Sequence, residues 1–136
     1  MPDNVVVDSS VIASIFFREE ASERAERVAE NYELTTVDVA VAETANVAWK
    51  RVVFFNEPRE ITLKALKRCT NFIMNVCNVI TSQKLLENGF EIAIIDGITL
   101  YDALFVAASK REKIPLLTLD KTLYEKLHEK RNIKLI

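Results

Sequence analysis

Four carboxylates stand where a globular chain does not ordinarily place charge. Asp8 ends the run Val5-Val6-Val7, three β-branched residues that suit a strand buried on both faces. Asp120 ends a second such run, Leu116-Leu117-Thr118-Leu119. Asp102 lies in Ile98-Thr99-Leu100-Tyr101-Asp102-Ala103-Leu104-Phe105-Val106. On a helix its neighbours three and four positions away are Ile98, Thr99, Phe105 and Val106, so it falls on the apolar stripe. Glu43 repeats the pattern among Val39, Ala40, Asn46 and Val47. Each position also has a purely structural reading. Asp8 can cap a helix, Asp120 a turn or helix before Thr122, and Glu43 can rotate to a solvent edge. Thr99-x-x-Asp102 fits a capping box with Asp in place of Glu. Taken together, two acids on strand tips and two on core-facing helices can gather at one end of a sheet. Charges so gathered repel strongly unless a cation is present. Carboxylate oxygens suit hard divalent ions, Mg²⁺ or Mn²⁺. Such an ion activates bound water and stabilises charge on a phosphoryl oxygen. The chemistry indicated is phosphate-ester hydrolysis without a His or Cys nucleophile.

The elements that must position these acids follow from the apolar periodicity. Asn4 to Val7 reads as the first strand, and Ser9 or Ser10 can cap a helix beginning near Val11 and running to Arg18. Glu19–Glu30 reads as a charged helix and Glu33–Val37 as a strand. Asp38 can cap a helix running to Phe55, and Pro58 can open the next, to about Val76, with Ile61, Leu63, Ala65, Leu66, Phe72 and Ile73 inward. Asn78–Ile80 reads as a short strand and Gln83–Ile95 as a helix interrupted by Gly89. Thr99–Lys113 is a helix, Pro115–Asp120 a strand, Thr122–Lys130 a helix and Ile133–Ile136 a last strand. Strands alternating with helices predict a mostly parallel α/β sheet in one domain spanning residues 1–136.

Composition narrows the function. The chain has 136 residues, 49% of them apolar, enough for one domain with a core. A net charge of −2 announces no basic field, although a local patch is enough to hold nucleic acid. Only two glycines occur, Gly89 and Gly97, which excludes a P-loop and a Gly-rich dinucleotide turn. The single histidine, His128, sits among Glu125, Lys126, Glu129, Lys130 and Arg131, a solvated face unsuited to a triad or a zinc site. Cys69 and Cys77 fall on different lines of one helical segment, so both read as reduced core residues. No apolar run reaches the ~18–20 residues of a membrane span, and Asp3 precedes the first strand where a leader's apolar segment would lie. A cytoplasmic location, with no membrane partner, is expected.

Four segments together resemble the PIN domain, specifically the small VapC-type toxin ribonucleases. They are Val5-Val-Val-Asp8-Ser-Ser-Val-Ile-Ala13, Val41-Ala-Glu43-Thr-Ala-Asn46-Val-Ala-Trp49-Lys50, Thr99-Leu-Tyr-Asp102-Ala-Leu-Phe-Val-Ala107 and Leu116-Leu-Thr118-Leu-Asp120-Lys-Thr-Leu123. Order and spacing agree from Asn4 to about Leu127, loosely over Asn56–Ile95. The resemblance implies a three-layer α/β/α sandwich around a mostly parallel four- or five-stranded sheet. It implies an Mg²⁺- or Mn²⁺-dependent endoribonuclease leaving a 5′-phosphate, a homodimer, and inhibition by a small antitoxin protein. By that similarity Asp8, Glu43, Asp102 and Asp120 are the catalytic, metal-holding acids. Ser9 or Ser10, and Thr118, would support them by hydrogen bonds.

Arg18, Lys50, Arg51, Lys110 and Lys121 are candidate contacts to an RNA backbone, and no aromatic residue stands out as a base-stacking platform. Three other classes fit less well, one of them a DNA-directed flap nuclease, for whose branched-DNA insertions 136 residues leave no room. A receiver-like phosphoacceptor domain would want paired acids at the first strand, where this chain offers only Asp8. A catalytically silent PIN-like binding module is disfavoured by the presence of all four acids. Phe16, Phe17, Phe54 and Phe55 could serve a dimer, an antitoxin or the core.

Overall fold

Hydrophobic pattern and pairing build one parallel sheet. A computed structural model describes residues 3–136 of the chain. Five strands, β1 (Asn4–Val7), β2 (Glu33–Val37), β3 (Asn78–Ile80), β4 (Leu116–Thr118) and β5 (Ile133–Leu135), pair in the order β3-β2-β1-β4-β5. All pairings are parallel, with Val5 opposite Leu34 and Val6 opposite both Thr35 and Leu116. Val6 and Val7 in the central strand are fully buried. Burying each such side chain is worth about 1.5–3 kcal/mol, which holds β1 at the middle of the sheet. A receiver-like sheet has the order 2-1-3-4-5, so this topology is not that of a receiver.

Among the described residues seven helices cover the sheet: α1 (Ser9–Phe16), α2 (Ser22–Asn31), α3 (Val39–Phe55), α4 (Arg59–Asn75), α5 (Ser82–Asp96), α6 (Leu100–Glu112) and α7 (Lys121–Leu127). Right-handed crossovers place α1 to α4 on one face and α5 to α7 on the other. Contacts agree, because α1 packs with α2, α3 and α4 while α5 packs on α6. The result is a three-layer α/β/α sandwich with a five-stranded sheet. Phe105, Ile12, Leu85 and Ile73 fill the two interlayer cores. Gly89 does not interrupt α5. A Cβ there would lie 3.0 Å from Cδ2 of buried Leu104, so glycine permits the close approach of α5 to α6.

Several local expectations change. The cap of α1 is Asp8 itself rather than Ser9 or Ser10. Asp38 stands at the start of α3 but does not cap it; its carboxylate accepts from the Ser82 amide (2.9 Å) and ties down the start of α5. The charged helix α2 begins at Ser22, because Ser22 Oγ turns back to accept from the Glu19 amide. Ile61 and Leu63 of α4 are exposed, since α4 turns only Thr62, Ala65, Cys69 and Ile73 fully inward. Cys77 lies beyond the end of α4 rather than on it. Both thiols are free, buried and pushed up by that burial, Cys77 to about 12, so neither is a nucleophile. Phe17 is buried and Phe16 partly so, while Phe54 and Phe55 are exposed. Among the described residues no single helix is long and apolar enough to cross a membrane.

Candidate active site

The strand order reverses between β1 and β4, and in open α/β sheets ligands bind outside the carboxyl ends of the strands at that point. Asp8 leaves β1 there, and Asp120 follows β4 there. The second turn of α3 and the first turn of α6 bring Glu43 and Asp102 to the same edge.

Asp8 caps α1 and is held through both of its carboxylate oxygens. Its Oδ1 accepts from the Ser10 amide (3.1 Å), the Val11 amide (3.3 Å) and Ser10 Oγ (2.5 Å). Its Oδ2 accepts from Thr118 Oγ1 (2.5 Å) across 110 residues of sequence. Thr118 Oγ1 also accepts from the Asp120 amide (3.0 Å), so one buried hydroxyl joins the two strand-tip acids. Asp120 in turn caps α7 by accepting from the Leu123 amide (3.0 Å). Ser10 Oγ accepts from the Leu119 amide (3.0 Å), which closes the loop after β4 onto α1. Ser9 Oγ points the other way and donates to Glu43 Oε1 (2.9 Å). The two serines therefore divide the work: Ser10 holds Asp8 and Ser9 holds Glu43. The Thr99 side chain accepts from the Asp102 amide (3.2 Å) and caps α6.

Electrostatics show that the acids share one environment. Burial pushes Asp8 up to about 6 against the pull of its hydrogen bonds, and the charge of Asp102 adds to the rise. Burial likewise raises Glu43, with further contributions from Asp102 and Asp8. Burial and the charge of Asp120 raise Asp102. Among the described residues no lysine or arginine offsets these shifts. No three His, Cys, Asp or Glu side chains among them close into a ready-made ligand set either. Uncompensated like charges hold apart, and a hard cation that keeps several of its waters needs only one or two direct carboxylates. The donor set fits a hydrated hard divalent cation.

The candidate basic contacts separate. Lys50 lies two turns along α3 from Glu43, on the wall of a cavity that also includes Glu43, Ser9, Asn46 and Tyr101. Lys121 opens α7 next to Asp120. Arg51 is occupied elsewhere: it pairs with Glu57 (2.5 Å), donates to the Arg18 carbonyl (2.8 Å) and lies over the Phe17 ring. Lys110 sits in the last turn of α6, near Leu116 and Ile133 at the opposite edge of the sheet. Sequence reasoning missed Tyr101. Its signal was position alone, one residue before an acid in the first turn of α6.

The family model for the PIN domain matches residues 5–128. The chain is 37% identical over 123 residues to "Ribonuclease VapC3" of Pyrobaculum aerophilum, covering 90% of this chain and 93% of that protein. The fold is similar to the crystal structure of PAE2754 from Pyrobaculum aerophilum, with TM-score 0.71, 21% identity, and 96% and 83% of the two chains covered. It is also similar to a chain of a toxin-antitoxin complex from Klebsiella pneumoniae, with TM-score 0.64, 14% identity, and 96% and 95% covered. The two structural likenesses speak to the fold, and the sequence relative and the family model speak to descent. The chain belongs to the PIN domain family, within the group of the VapC ribonucleases.

Proposed function

We propose that this chain is a divalent-metal-dependent endoribonuclease and the toxin of a toxin-antitoxin pair. The observation that carries the reading is the edge where Asp8, Glu43, Asp102 and Asp120 arrive from four elements, with charge repulsion linking them and no basic partner for Asp8, Glu43 or Asp102 among the described residues. These four acids would hold Mg²⁺ or Mn²⁺, Asp8 and Asp102 most directly, Glu43 and Asp120 through water. When bound, the ion supplies an acidified water and charge stabilisation at the phosphoryl group. The chain's own residues do the positioning. Ser10 and Thr118 hold the two oxygens of Asp8 and so fix the orientation of its carboxylate. Ser9 orients Glu43 and favours its ionised form. Thr118 sets the distance between the Asp8 and Asp120 strand tips.

Two exposed apolar areas support protein partners. Trp49, Val53 and Leu63 border a groove of about 470 Å³ between α3 and α4, with Phe54 and Phe55 exposed beyond it; such a surface suits the apolar face of a small antitoxin. Leu86, Phe90 and Ile94 make an exposed stripe along α5 that suits a second copy of the chain. The test is cleavage of a mixed RNA pool by purified protein with Mg²⁺, with Mn²⁺ and with EDTA, beside Asp8→Asn and Asp102→Asn. Metal-dependent cleavage absent from both variants supports the reading. Wild-type cutting no greater than that of the variants under every ion removes it.

A further inference from the structure

The cavity beside Glu43 has a composition that the acidic edge does not explain. It encloses about 570 Å³ and is lined by residues that include Ser9, Glu43, Asn46, Lys50 and Tyr101. One wall is a single face of α3. Val39, Ala42, Glu43, Asn46, Val47 and Lys50 recur at the three- and four-residue spacing that stacks side chains along a helix. The other wall is Tyr101 from α6, adjacent in sequence to Asp102. Three of these groups are unspent. Tyr101 is 58% exposed and has no aromatic partner, and its hydroxyl has no protein hydrogen bond, among the described residues. Asn46 and Lys50 are exposed and make no protein hydrogen bond or ion pair among those residues.

We propose that this cavity is a nucleoside subsite next to the acidic edge, in which Tyr101 stacks a nucleobase, Asn46 bonds its edge and Lys50 takes the next backbone phosphate. The inference rests on the nuclease reading above and deepens it by assigning single-stranded RNA and naming what holds it. An exposed ring with an open face is the group that binds an unpaired base, and every base offers it a π-face. An unpaired side-chain amide presents donors and an acceptor together, which suits the mixed edge of a base. A lysine in an acidic neighbourhood reads as a phosphate contact, because RNA must bring its own negative charge past Glu43. Seven residues of helix separate Glu43 from Lys50, roughly 10 Å along the axis, room for one nucleoside between edge and cation. A duplex keeps its bases stacked inside and cannot offer one to Tyr101.

The test separates this subsite from catalysis. A single-stranded RNA oligonucleotide carrying the fluorescent base 2-aminopurine is titrated with Asp102→Asn protein in Mg²⁺, so that binding is read without cleavage. The same titration is run with Tyr101→Ala, Tyr101→Phe, Asn46→Ala and Lys50→Ala added. Binding should quench the base. Tyr101→Ala should lose the quench and weaken binding about tenfold, and Tyr101→Phe should keep both, since stacking needs the ring and not the hydroxyl. Lys50→Ala should flatten the salt dependence, and Asn46→Ala should narrow the difference in affinity between oligonucleotides of different base at that position. Absence of binding by the Asp102→Asn protein overturns the subsite. So does Tyr101→Ala binding and quenching as its parent does, or Tyr101→Phe failing as Tyr101→Ala fails. Wild type that cleaves RNA while Tyr101→Ala cleaves it with unchanged KM removes the subsite and leaves the nuclease standing. Tyr101-dependent quenching in a wild type that cleaves nothing removes the nuclease and leaves the subsite.

Discussion

Asp8 makes the metal-free protein less stable as pH rises, and Asp8→Asn exposes this. The carboxyl of Asp8 titrates at about 6 in the folded chain and near 3.8 when the surroundings are lost. Between those values the folded state holds a proton that the unfolded state has released. Stability is therefore highest below about pH 4 and falls as pH rises to about 6. At about 1.4 kcal/mol per pH unit, the interval amounts to about 3 kcal/mol. For a chain of 136 residues that is a fall in Tm of roughly 10 °C. Asparagine caps helices as well as aspartate and keeps an oxygen for Ser10 and Val11, so Asp8→Asn removes the charge and spares the cap. The assay is thermal melting in EDTA across that pH interval. Glu43 and Asp102 are raised too and add the same trend; part of the Glu43 rise comes from the charge of Asp8, so the difference between wild type and variant reads Asp8 together with its repulsion of Glu43. The variant should match or trail wild type in acid and exceed it by up to about 3 kcal/mol at neutral pH. Added Mg²⁺ should then raise the wild-type Tm at neutral pH and leave the variant nearly unmoved. Equal pH dependence in the two proteins, or a variant no more stable than wild type at neutral pH, would refute the argument that buried charge at Asp8 is uncompensated.

Further outcomes follow from the same geometry. Thr118→Val strands Asp8 Oδ2 and the Asp120 amide together, so denaturant unfolding should show a loss of about 1–3 kcal/mol, with kcat falling more than KM rises. Ser9→Ala removes the hydroxyl that favours ionised Glu43, so the acid limb of the pH–rate profile should move to higher pH with the alkaline side unchanged. Gly89→Val drives a branched side chain into Leu104, so thermal melts should show about 1–3 kcal/mol of destabilisation while activity per folded molecule holds.

Much of the fold was legible because its signals are local. Val5-Val6-Val7 and Leu116-Leu117 read as buried strands from composition, and both are. Helix boundaries shifted by a few residues where side chains chose unexpected partners. Asp38 bonds Ser82, 44 residues away, and no pattern around Asp38 announces that. Arg51 looked like a free cation in a helix of small residues, yet Glu57 and the Arg18 carbonyl claim it. At the candidate site, the sequence could nominate Ser9 and Ser10 only as alternatives, since either can reach a carboxylate at a helix start. Successive helical residues point about 100° apart, and that rotation sends Ser9 to Glu43 and Ser10 to Asp8.

By itself the sequence determined the alternation of strands and helices, the four misplaced acids and the absence of histidine, thiol or glycine-loop chemistry. These depend on residue type and short spacing, which secondary structure converts directly into faces and tips. Only the tertiary structure decided which ends meet. The order β3-β2-β1-β4-β5 sets β4 beside β1, brings Thr118 to Asp8 across 110 residues and turns Tyr101 toward a face of α3. Strand neighbours are chosen by the packing of whole layers, a property of the assembled sheet that no segment of the chain carries alone.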